Sequence, residues 1–144
     1  MSTIKQISVF AQNQPGRIER IAEILAHTDI NIRAITIASG EDYGIIKLLV
    51  DKPRQAADTL RDEGLSVALN DVLAAEMTDN PGGLSLLLQA LAEHEINIED
   101  AYGFVIDSGH RAVLVVRVQN ALRAAKILAD GNVKLLREQD LYEL

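Results

Sequence analysis

Residues 13–32, NQPGRIERIAEILAHTDINI, decide the fold, because the chain repeats them 66 positions later as residues 79–98, DNPGGLSLLLQALAEHEINI. Seven of the twenty paired positions are identical. They include Pro-Gly at the start of both stretches and Ile-Asn-Ile at their end, and most other pairs exchange aliphatic residues or carry polar side chains. Self-similarity at a fixed period predicts one supersecondary unit that occurs twice.

The repeat continues beyond these twenty residues. Further pairs at almost the same spacing are Leu48 with Leu114, Val50 with Val116 and Gly64 with Gly131. The last pair is 67 positions apart, which predicts a one-residue insertion in the second copy. We therefore expect two domains, residues 1–70 and 71–144. Units of about 70 residues are marginally stable alone, so each is expected to pack against another unit.

Hydrophobic periodicity predicts the elements of the first unit. Apolar residues alternate around Ile7 and Val9, as in a half-buried strand, and then recur at helical spacing from Ile18 to Leu25. Pro15 suits a helix start, since the N–H that proline lacks would have no helical partner there. The remaining predicted elements are strands 30–38 and 45–50, a helix from Pro53 to Gly64 and a strand 66–69.

The second unit repeats this order. Its predicted elements are strands 72–77, 98–106, 112–118 and 133–136, a helix with the stripe Leu84, Leu87, Leu88 and Leu91, and a helix 121–130 that Asn120 caps and Gly131 ends. Each unit is thus predicted as βαββαβ, the ferredoxin-like arrangement. This is an α+β fold in which an antiparallel four-stranded sheet carries both helices on one face.

The composition restricts the class of protein. Hydrophobic residues make up 48% of the chain but aromatic residues only 3%, so the cores must be aliphatic. The net charge of −7 disfavours binding to nucleic acid, and no apolar run approaches the roughly 20 residues of a membrane span. Cysteine is absent, which excludes disulfides, thiolate metal sites and cysteine nucleophiles. The N-terminus lacks the pattern of a signal peptide, and we expect a cytoplasmic protein.

No motif indicates catalysis. We find no nucleophile elbow, phosphate-binding glycine loop, paired metal-ligand motif or dinucleotide fingerprint. His27 and His94 lie near helix ends, where a cation is stabilised, and are interpreted as capping or solvated residues. The sequence therefore predicts a protein that is not an enzyme, with no catalytic residue, no metal site and no cofactor.

The local signature of each half resembles that of the ACT domain, a regulatory module that binds amino acids. The signature is a strand, the motif [Asn/Asp]-x-Pro-Gly, a short amphipathic helix and, fifteen residues after the glycine, the asparagine of Ile-Asn-Ile. Because it occurs in both halves, the chain resembles stand-alone tandem ACT proteins. The resemblance implies a homodimer that binds a small amino acid at the interface of ACT units and signals to a partner enzyme or regulator.

The resemblance also assigns ligand-binding residues. In the family, the effector contacts the loop after the first strand of one unit and the start of the second strand of the neighbouring unit. The corresponding residues are Asn13, Gln14, Gly16, Arg17, Asn31 and Ile32 in the first copy, and Asp79, Asn80, Gly82, Asn97 and Ile98 in the second. Many amino-acid-binding members carry a histidine where this chain has Ala11 and Met77, which favours an effector with an apolar side chain.

These residue types suit a free amino acid. A helix N-terminus offers N–H groups and a partial positive charge to a carboxylate, and Gly16 has no side chain that blocks the approach. Asparagine both donates and accepts, so Asn13 or Asn31 can serve either end of the ligand. Asp79 only accepts and would favour the ammonium group. The two copies are therefore predicted to form unequal sites.

Three other interpretations stay open from the sequence. The chain could be the regulatory small subunit of a metabolic enzyme such as acetolactate synthase, whose small subunit begins with a similar ACT unit. It could be a structural dimer with vestigial pockets, in which Asn31 and Asn97 only bond the backbone of a turn. It could also be a small enzyme whose site is assembled from scattered residues.

Overall fold

Packing divides the chain into two units of similar architecture. The computed structural model describes residues 3–144. The N-terminal unit comprises Lys5–Asn70, and the C-terminal unit comprises Asp71–Leu144 together with Thr3 and Ile4. No helix among the described residues is long and apolar enough to cross a membrane.

The N-terminal unit contains β1 (Ile4–Gln12), α1 (Arg17–His27), β2 (Ile32–Ser39), β3 (Tyr43–Val50), α2 (Pro53–Asp62) and the first part of β4 (Ser66–Thr78). β3 lies between β1 and β2 and is antiparallel to both, so that Leu48 is opposite Ile7 on one side and Ile35 on the other. β1 also borders β4, where the Ser8 hydroxyl donates to Asn70 Oδ1 at 2.7 Å.

The C-terminal unit contains the second part of β4, α3 (Gly83–Glu93), β5 (Ile98–Asp107), β6 (Arg111–Val118), α4 (Ala121–Asp130) and α5 (Glu138–Tyr142). β6 lies between β4 and β5 and is antiparallel to both. Val116 is opposite Leu73 on β4 and Ala101 on β5. The order of elements is therefore that of the N-terminal unit.

Each unit has its own aliphatic core between its helices and one face of its strands. In the N-terminal unit, Ile21 and Leu25 of α1 belong to one buried cluster with Ile7 and Leu48. The corresponding cluster of the C-terminal unit contains Leu87, Leu91, Leu73 and Val116. The predicted α+β fold with two ferredoxin-like units is confirmed.

The second copy carries two inserted residues, and the prediction of one was wrong. Leu48 is opposite Ile7 and Val116 is opposite Leu73, so Val116 is the equivalent of Leu48, 68 positions later. The predicted equivalent, Leu114, is opposite Ala75 instead. Beyond this point the whole of the second copy is displaced by two residues relative to the first.

The insertion lengthens one hairpin. In the N-terminal unit Ser39 is opposite Gly44, and in the C-terminal unit Val105 is opposite Ala112, so four intervening residues become six. The displacement persists to the end of the next helix. There Gly64, with φ 86°, corresponds to Asn132, with φ 62°, and not to Gly131.

Two strand predictions also need correction. Predicted strands 66–69 and 72–77 form one continuous strand, β4, because Asn70 and Asp71 are themselves part of the strand. Predicted strand 133–136 is reduced to one isolated bridge, between Ala75 and Leu135. It stays this short because the chain enters α5 directly afterwards, at Glu138.

The C-terminal tail after this bridge forms α5. The backbone N–H of Arg137 donates to Asp140 Oδ2 at 2.8 Å, and its guanidinium donates to Asp140 Oδ1 at 3.3 Å. These side-chain and backbone hydrogen bonds from Arg137 lower the pKa of Asp140. They close the first turn of α5, in which Leu141 is buried.

The core assignment predicts unequal effects of two leucine substitutions on α3. Leu91 is 1% exposed and Leu86 is 70% exposed. Leu91→Ala leaves a cavity and is expected to lower the free energy of unfolding by about 2–5 kcal/mol. Leu86→Ala is expected to change it by less than about 0.5 kcal/mol. Urea denaturation followed by circular dichroism measures both, and equal losses would contradict the assignment.

Candidate ligand-binding site

A left-handed glycine joins the first strand to the first helix of the N-terminal unit. The N–H of Asn13 still donates to the carbonyl of Asp42 at 3.1 Å, and the chain then turns at Gly16, whose φ is 87°. That φ favours glycine. A Cβ at this position would have no atom within 4 Å, so glycine is required by the backbone conformation and not by a lack of space. No side chain caps α1, and the N–H of Arg17 donates to the carbonyl of Gln14 at 3.3 Å. The N–H groups of Ile18 and Glu19 are then the ones that can serve an acceptor.

Gln14 and Arg17 are linked to the end of β1. The Arg17 guanidinium donates to Oε1 of Gln12 at 3.2 Å, and its Nη2 lies 3.5 Å from Oε1 of Gln14. The glutamine side chains are exposed and Arg17 is half-buried. The contacts hold a positive charge beside the N-terminus of α1, where an anionic group is already favoured.

A small cleft adjoins this loop. Its volume is about 30 Å³, and its lining includes Asn13, Arg17, Ile18 and Ile37. This is far below the roughly 300–1,000 Å³ of a usual ligand pocket. Ile18 and Ile37 are 39% and 44% exposed. The loop thus presents an open polar and apolar surface, and a free amino acid enclosed there would need another wall.

The loop of the C-terminal unit repeats the backbone but not the side-chain contacts. Gly82 has φ 91°, and α3 also lacks a side-chain cap. Asp79 Oδ2 accepts a hydrogen bond from the N–H of Gly109 at 2.7 Å, and the Thr78 hydroxyl donates to Asn80 Oδ1 at 3.0 Å. One carboxylate oxygen of Asp79 is therefore engaged by the β5–β6 hairpin, which competes with its predicted role as an ammonium acceptor.

Equivalent positions at the start of α1 and α3 carry Arg17 and Gly83. A Cβ built on Gly83 would overlap the carbonyl oxygen of Thr78 and lie 2.9 Å from its Oγ1. Arg17 has a Cβ and extends its side chain towards Gln12. The second loop therefore closes more tightly on the end of its strand, and the two loops present different surfaces to a ligand.

The asparagines of the Ile-Asn-Ile segments lie at the other end of each unit. The N–H of Asn31 donates to Asp51 Oδ1 at 3.0 Å, whereas Asn13 is beside Asp42. Asp51 follows Asp42 by nine positions of mostly extended chain, which corresponds to about 30 Å at ~3.3 Å per residue. Asn97 precedes Ile98, which is opposite Val118 at the corresponding end of β6.

This geometry separates two groups of predicted site residues within each unit. Asn13, Gln14, Gly16 and Arg17 lie together, and Asn31 and Ile32 lie at the far end of the same strands. The C-terminal unit separates Asp79, Asn80 and Gly82 from Asn97 and Ile98 in the same way. One amino acid that contacts both groups must touch more than one unit.

Asn97 lines a wider polar cleft of about 260 Å³. The other polar residues of this cleft are Glu95, Glu99, Gln119, Asn120 and Arg123. Asn120 Oδ1 accepts from the N–H of Arg123 at 3.0 Å, and the Arg123 guanidinium donates to the carbonyl of His94 at 3.1 Å. The sequence motifs did not single out Arg123. The strand order could have located it, since α4 begins where β6 ends, beside the start of β5.

The chain matches a protein-family model and is similar to solved structures of other proteins. A family model described as an ACT domain pair matches residues 2–144. The crystal structure of a protein from Bacteroides thetaiotaomicron is 33% identical, has a TM-score of 0.92, and covers 99% of this chain and 97% of that one. No curated protein matches the sequence.

Two more distant structures are described as the regulatory subunit of aspartate kinase. The ligand-free form from Thermus thermophilus is 19% identical with a TM-score of 0.65, and covers 90% of this chain and 93% of that one. The subunit from Thermus flavus is 17% identical with a TM-score of 0.59, and covers 90% and 96%. At these identities the likeness shows the fold alone.

Because Gly83 lies against Thr78, its substitution is expected to lower stability, whereas substitution of the equivalent Arg17 is not. Gly83→Ala forces the loop apart and is expected to lower the free energy of unfolding by about 1–3 kcal/mol. Arg17→Ala, at the equivalent position, is expected to change it by less than about 0.5 kcal/mol. Urea denaturation compares the two variants. A Gly83→Ala variant as stable as the parent would show that the loop is not closed on Thr78.

Proposed function

The chain belongs to the family of ACT domain pairs, and on this basis we propose that it is a regulatory protein that binds a small amino acid at its duplicated Pro-Gly loops. One observation carries the proposal. Both loops place a left-handed glycine, Gly16 or Gly82, at a helix N-terminus that no side chain caps. Open N–H groups and the partial positive charge of the helix favour the ligand carboxylate.

The N-terminal loop suits the whole ligand better than the C-terminal loop. Its Arg17 adds a full positive charge beside the helix, and the exposed Asn13 can accept from the ligand ammonium. In the other loop, Asp79 is already bonded to Gly109. We therefore expect tighter binding at the N-terminal loop, with the second loop as a weaker site.

The surface beside the N-terminal loop favours an aliphatic ligand side chain. Ile18 and Ile37 are both substantially exposed and line the cleft together with Ala11. An aliphatic group that covers them removes apolar surface from water, which stabilises the complex by about 25 cal/mol per Å² buried. A polar side chain would gain no partner from these residues. We propose leucine, isoleucine or valine as the class of effector.

A second unit has to complete the site. The loop and the asparagine of any one unit are about 30 Å apart, far more than the length of a free amino acid. We propose that Asn31 or Asn97 of another unit supplies the remaining hydrogen bonds, and that the protein works as a homodimer. Ligand binding then also stabilises the assembly that forms the site.

The output of the protein is proposed to be a partner enzyme or regulator. Two proteins of the same fold are described as regulatory subunits of aspartate kinase, which supports a partner enzyme by analogy of fold alone. A regulatory subunit of another metabolic enzyme, such as acetolactate synthase, is the alternative. Co-purification of a large catalytic chain with the tagged protein would favour either enzyme and identify it.

An amino-acid screen tests the proposed ligand class. We expect leucine, isoleucine or valine at millimolar concentration to raise the melting temperature, because a ligand that binds only the folded state stabilises it. The other standard amino acids serve as the comparison, with the acidic and basic ones expected to have no effect. A folded protein that none of the twenty stabilises would contradict the proposal.

Removal of one asparagine side chain tests the proposed site. A hydrogen bond to a charged ligand group contributes about 1.5–3 kcal/mol, so Asn31→Ala is expected to weaken the effector roughly 10- to 150-fold. Gln55→Ala removes a similar amide from the exposed surface of α2 and is the control. Isothermal titration calorimetry measures both. Unchanged affinity in Asn31→Ala would remove this residue from the site.

A further inference from the structure

The C-terminal unit contains a second groove that uses none of the residues assigned to amino-acid binding. Its volume is about 460 Å³, within the roughly 300–1,000 Å³ usual for ligand pockets. Its apolar lining residues are Met77, Leu86, Leu87, Ala90 and Val133, and its charged or titratable ones are Glu76, His110, Arg111 and Lys134. An apolar lining with a few polar groups is typical of a small-molecule site.

The groove lies beside the last residues of β4, at the edge of the strand next to the bridge segment, residues 133–136, which pairs with β4 only at Ala75. The N–H of Glu76 donates to the carbonyl of Lys134 at 2.9 Å, and the bridge segment then turns away through Asn132, whose φ is 62°. Alternate residues of a strand direct their N–H groups to the same side, so the N–H of Thr78 points to this edge too. No strand among residues 3–144 lies opposite it there. Thr78 thus adds a hydrogen-bond donor to the groove lining.

The charges of the lining favour an anion. Glu76 is its one acidic residue, and it already accepts hydrogen bonds from Nε of Arg111 at 2.8 Å and from Nη2 of the same side chain. This ion pair neutralises the charge of Arg111 and engages the carboxylate of Glu76. The lining keeps a second cation, the ammonium of Lys134. Asp140, outside the lining, interacts with this ammonium but is itself hydrogen-bonded to Arg137. The exposed His110 adds a further polar group.

We propose that this groove binds an aliphatic carboxylate that carries no α-ammonium group, such as a branched short-chain acid. The carboxylate is bound by Lys134 and the N–H of Thr78, and the aliphatic chain covers Leu86 and Ala90. A ligand ammonium would meet Lys134 and the Arg111 pair without a free carboxylate to accept from it, which is costly in a partly desolvated site. This chemistry separates the groove from the amino-acid loops.

The N-terminal unit lacks the residues that make the groove. The positions equivalent to Leu86, Arg111 and Lys134 are Arg20, Tyr43 and Ser66. Arg20 also lies in an ion pair with Glu63, at 3.5 Å, so its side chain occupies a different environment from that of Leu86. The groove is therefore a feature of the second copy alone, and the first copy supplies the residues for control substitutions.

Titration of the whole chain with 4-methylpentanoate tests the proposal. Two-dimensional NMR is expected to show saturable shifts at Thr78, Leu86 and Lys134, whereas 4-methylpentanamide and leucine are expected to leave these signals unchanged. Lys134→Ser, which introduces the residue of the N-terminal unit, is expected to weaken the acid roughly tenfold or more. Lys126→Ser removes an exposed lysine of α4 outside the groove and is expected to have no effect.

Leu86→Asp provides a second test that does not depend on the lysine. It replaces an apolar residue of the lining by a negative charge that repels a carboxylate, at a side chain that is 70% exposed, so the fold is expected to persist, as circular dichroism will verify. Loss of binding in this variant supports the groove. The absence of saturable binding by the parent protein, equal weakening by Lys134→Ser and Lys126→Ser, or equal binding of the amide would each overturn the proposal.

The proposed carboxylate site and the proposed amino-acid site can fail independently. Asn13→Ala alters the Pro-Gly loop and leaves the groove lining intact. Binding of 4-methylpentanoate that is lost in Asn13→Ala but kept in Lys134→Ser would assign the acid to the loop and contradict the groove. Binding kept in Asn13→Ala and lost in Lys134→Ser supports it, whatever the amino-acid screen shows.

Discussion

Each unit is held together by the burial of one aliphatic helix stripe against one face of its strands. Leu25 and Leu91 are the central residues of these stripes and are 0% and 1% exposed. Full burial of such a side chain contributes about 1.5–3 kcal/mol. Because α1 must lie against β1, the chain has to reverse within residues 13–16, and a left-handed glycine makes that turn possible. The candidate ligand loop is thus a consequence of the packing that folds the unit.

Local hydrophobic periodicity predicted most of the helices and strands. It could not predict which residues of neighbouring strands lie opposite each other. The apolar stripe from Ile18 to Leu25 predicts a helix unambiguously, because its spacing matches the period of a helix. β6 is aliphatic at nearly every position, so Leu114 matched Leu48 as well as Val116 did, and the longer hairpin left no periodic signal. The motif located the Pro-Gly loops, but the bond from Gly109 to Asp79 joins residues 30 positions apart and needed the structure.

The two copies have kept their backbone and changed their surface. Asp29 and Glu95 both have φ 57°, and the turn glycines differ by only a few degrees. Arg17 and Gly83 differ completely at equivalent positions, and the second loop adapts by closing on Thr78. Burial accounts for the shared aliphatic positions. The Pro-Gly pairs and the asparagines Asn31 and Asn97 are shared although they are exposed, whereas most other exposed positions differ. Differences in ligand binding between the units are therefore to be sought at the exposed, divergent residues and not in the cores.

The separation of loop and asparagine within a unit has a thermodynamic consequence for the proposed regulation. An effector that contacts Asn13 and an asparagine of another unit binds only when the two units are associated. At a concentration 100 times its dissociation constant, such a ligand favours the associated state by about 2.7 kcal/mol. A shift of this size changes the population of an assembly about a hundredfold. Since a ligand can change only those states to which it binds unequally, the same energy becomes available to any partner that distinguishes the assembled from the separated units. A chain without a catalytic motif can thus convert an amino-acid concentration into a change in the surface that its partner recognises.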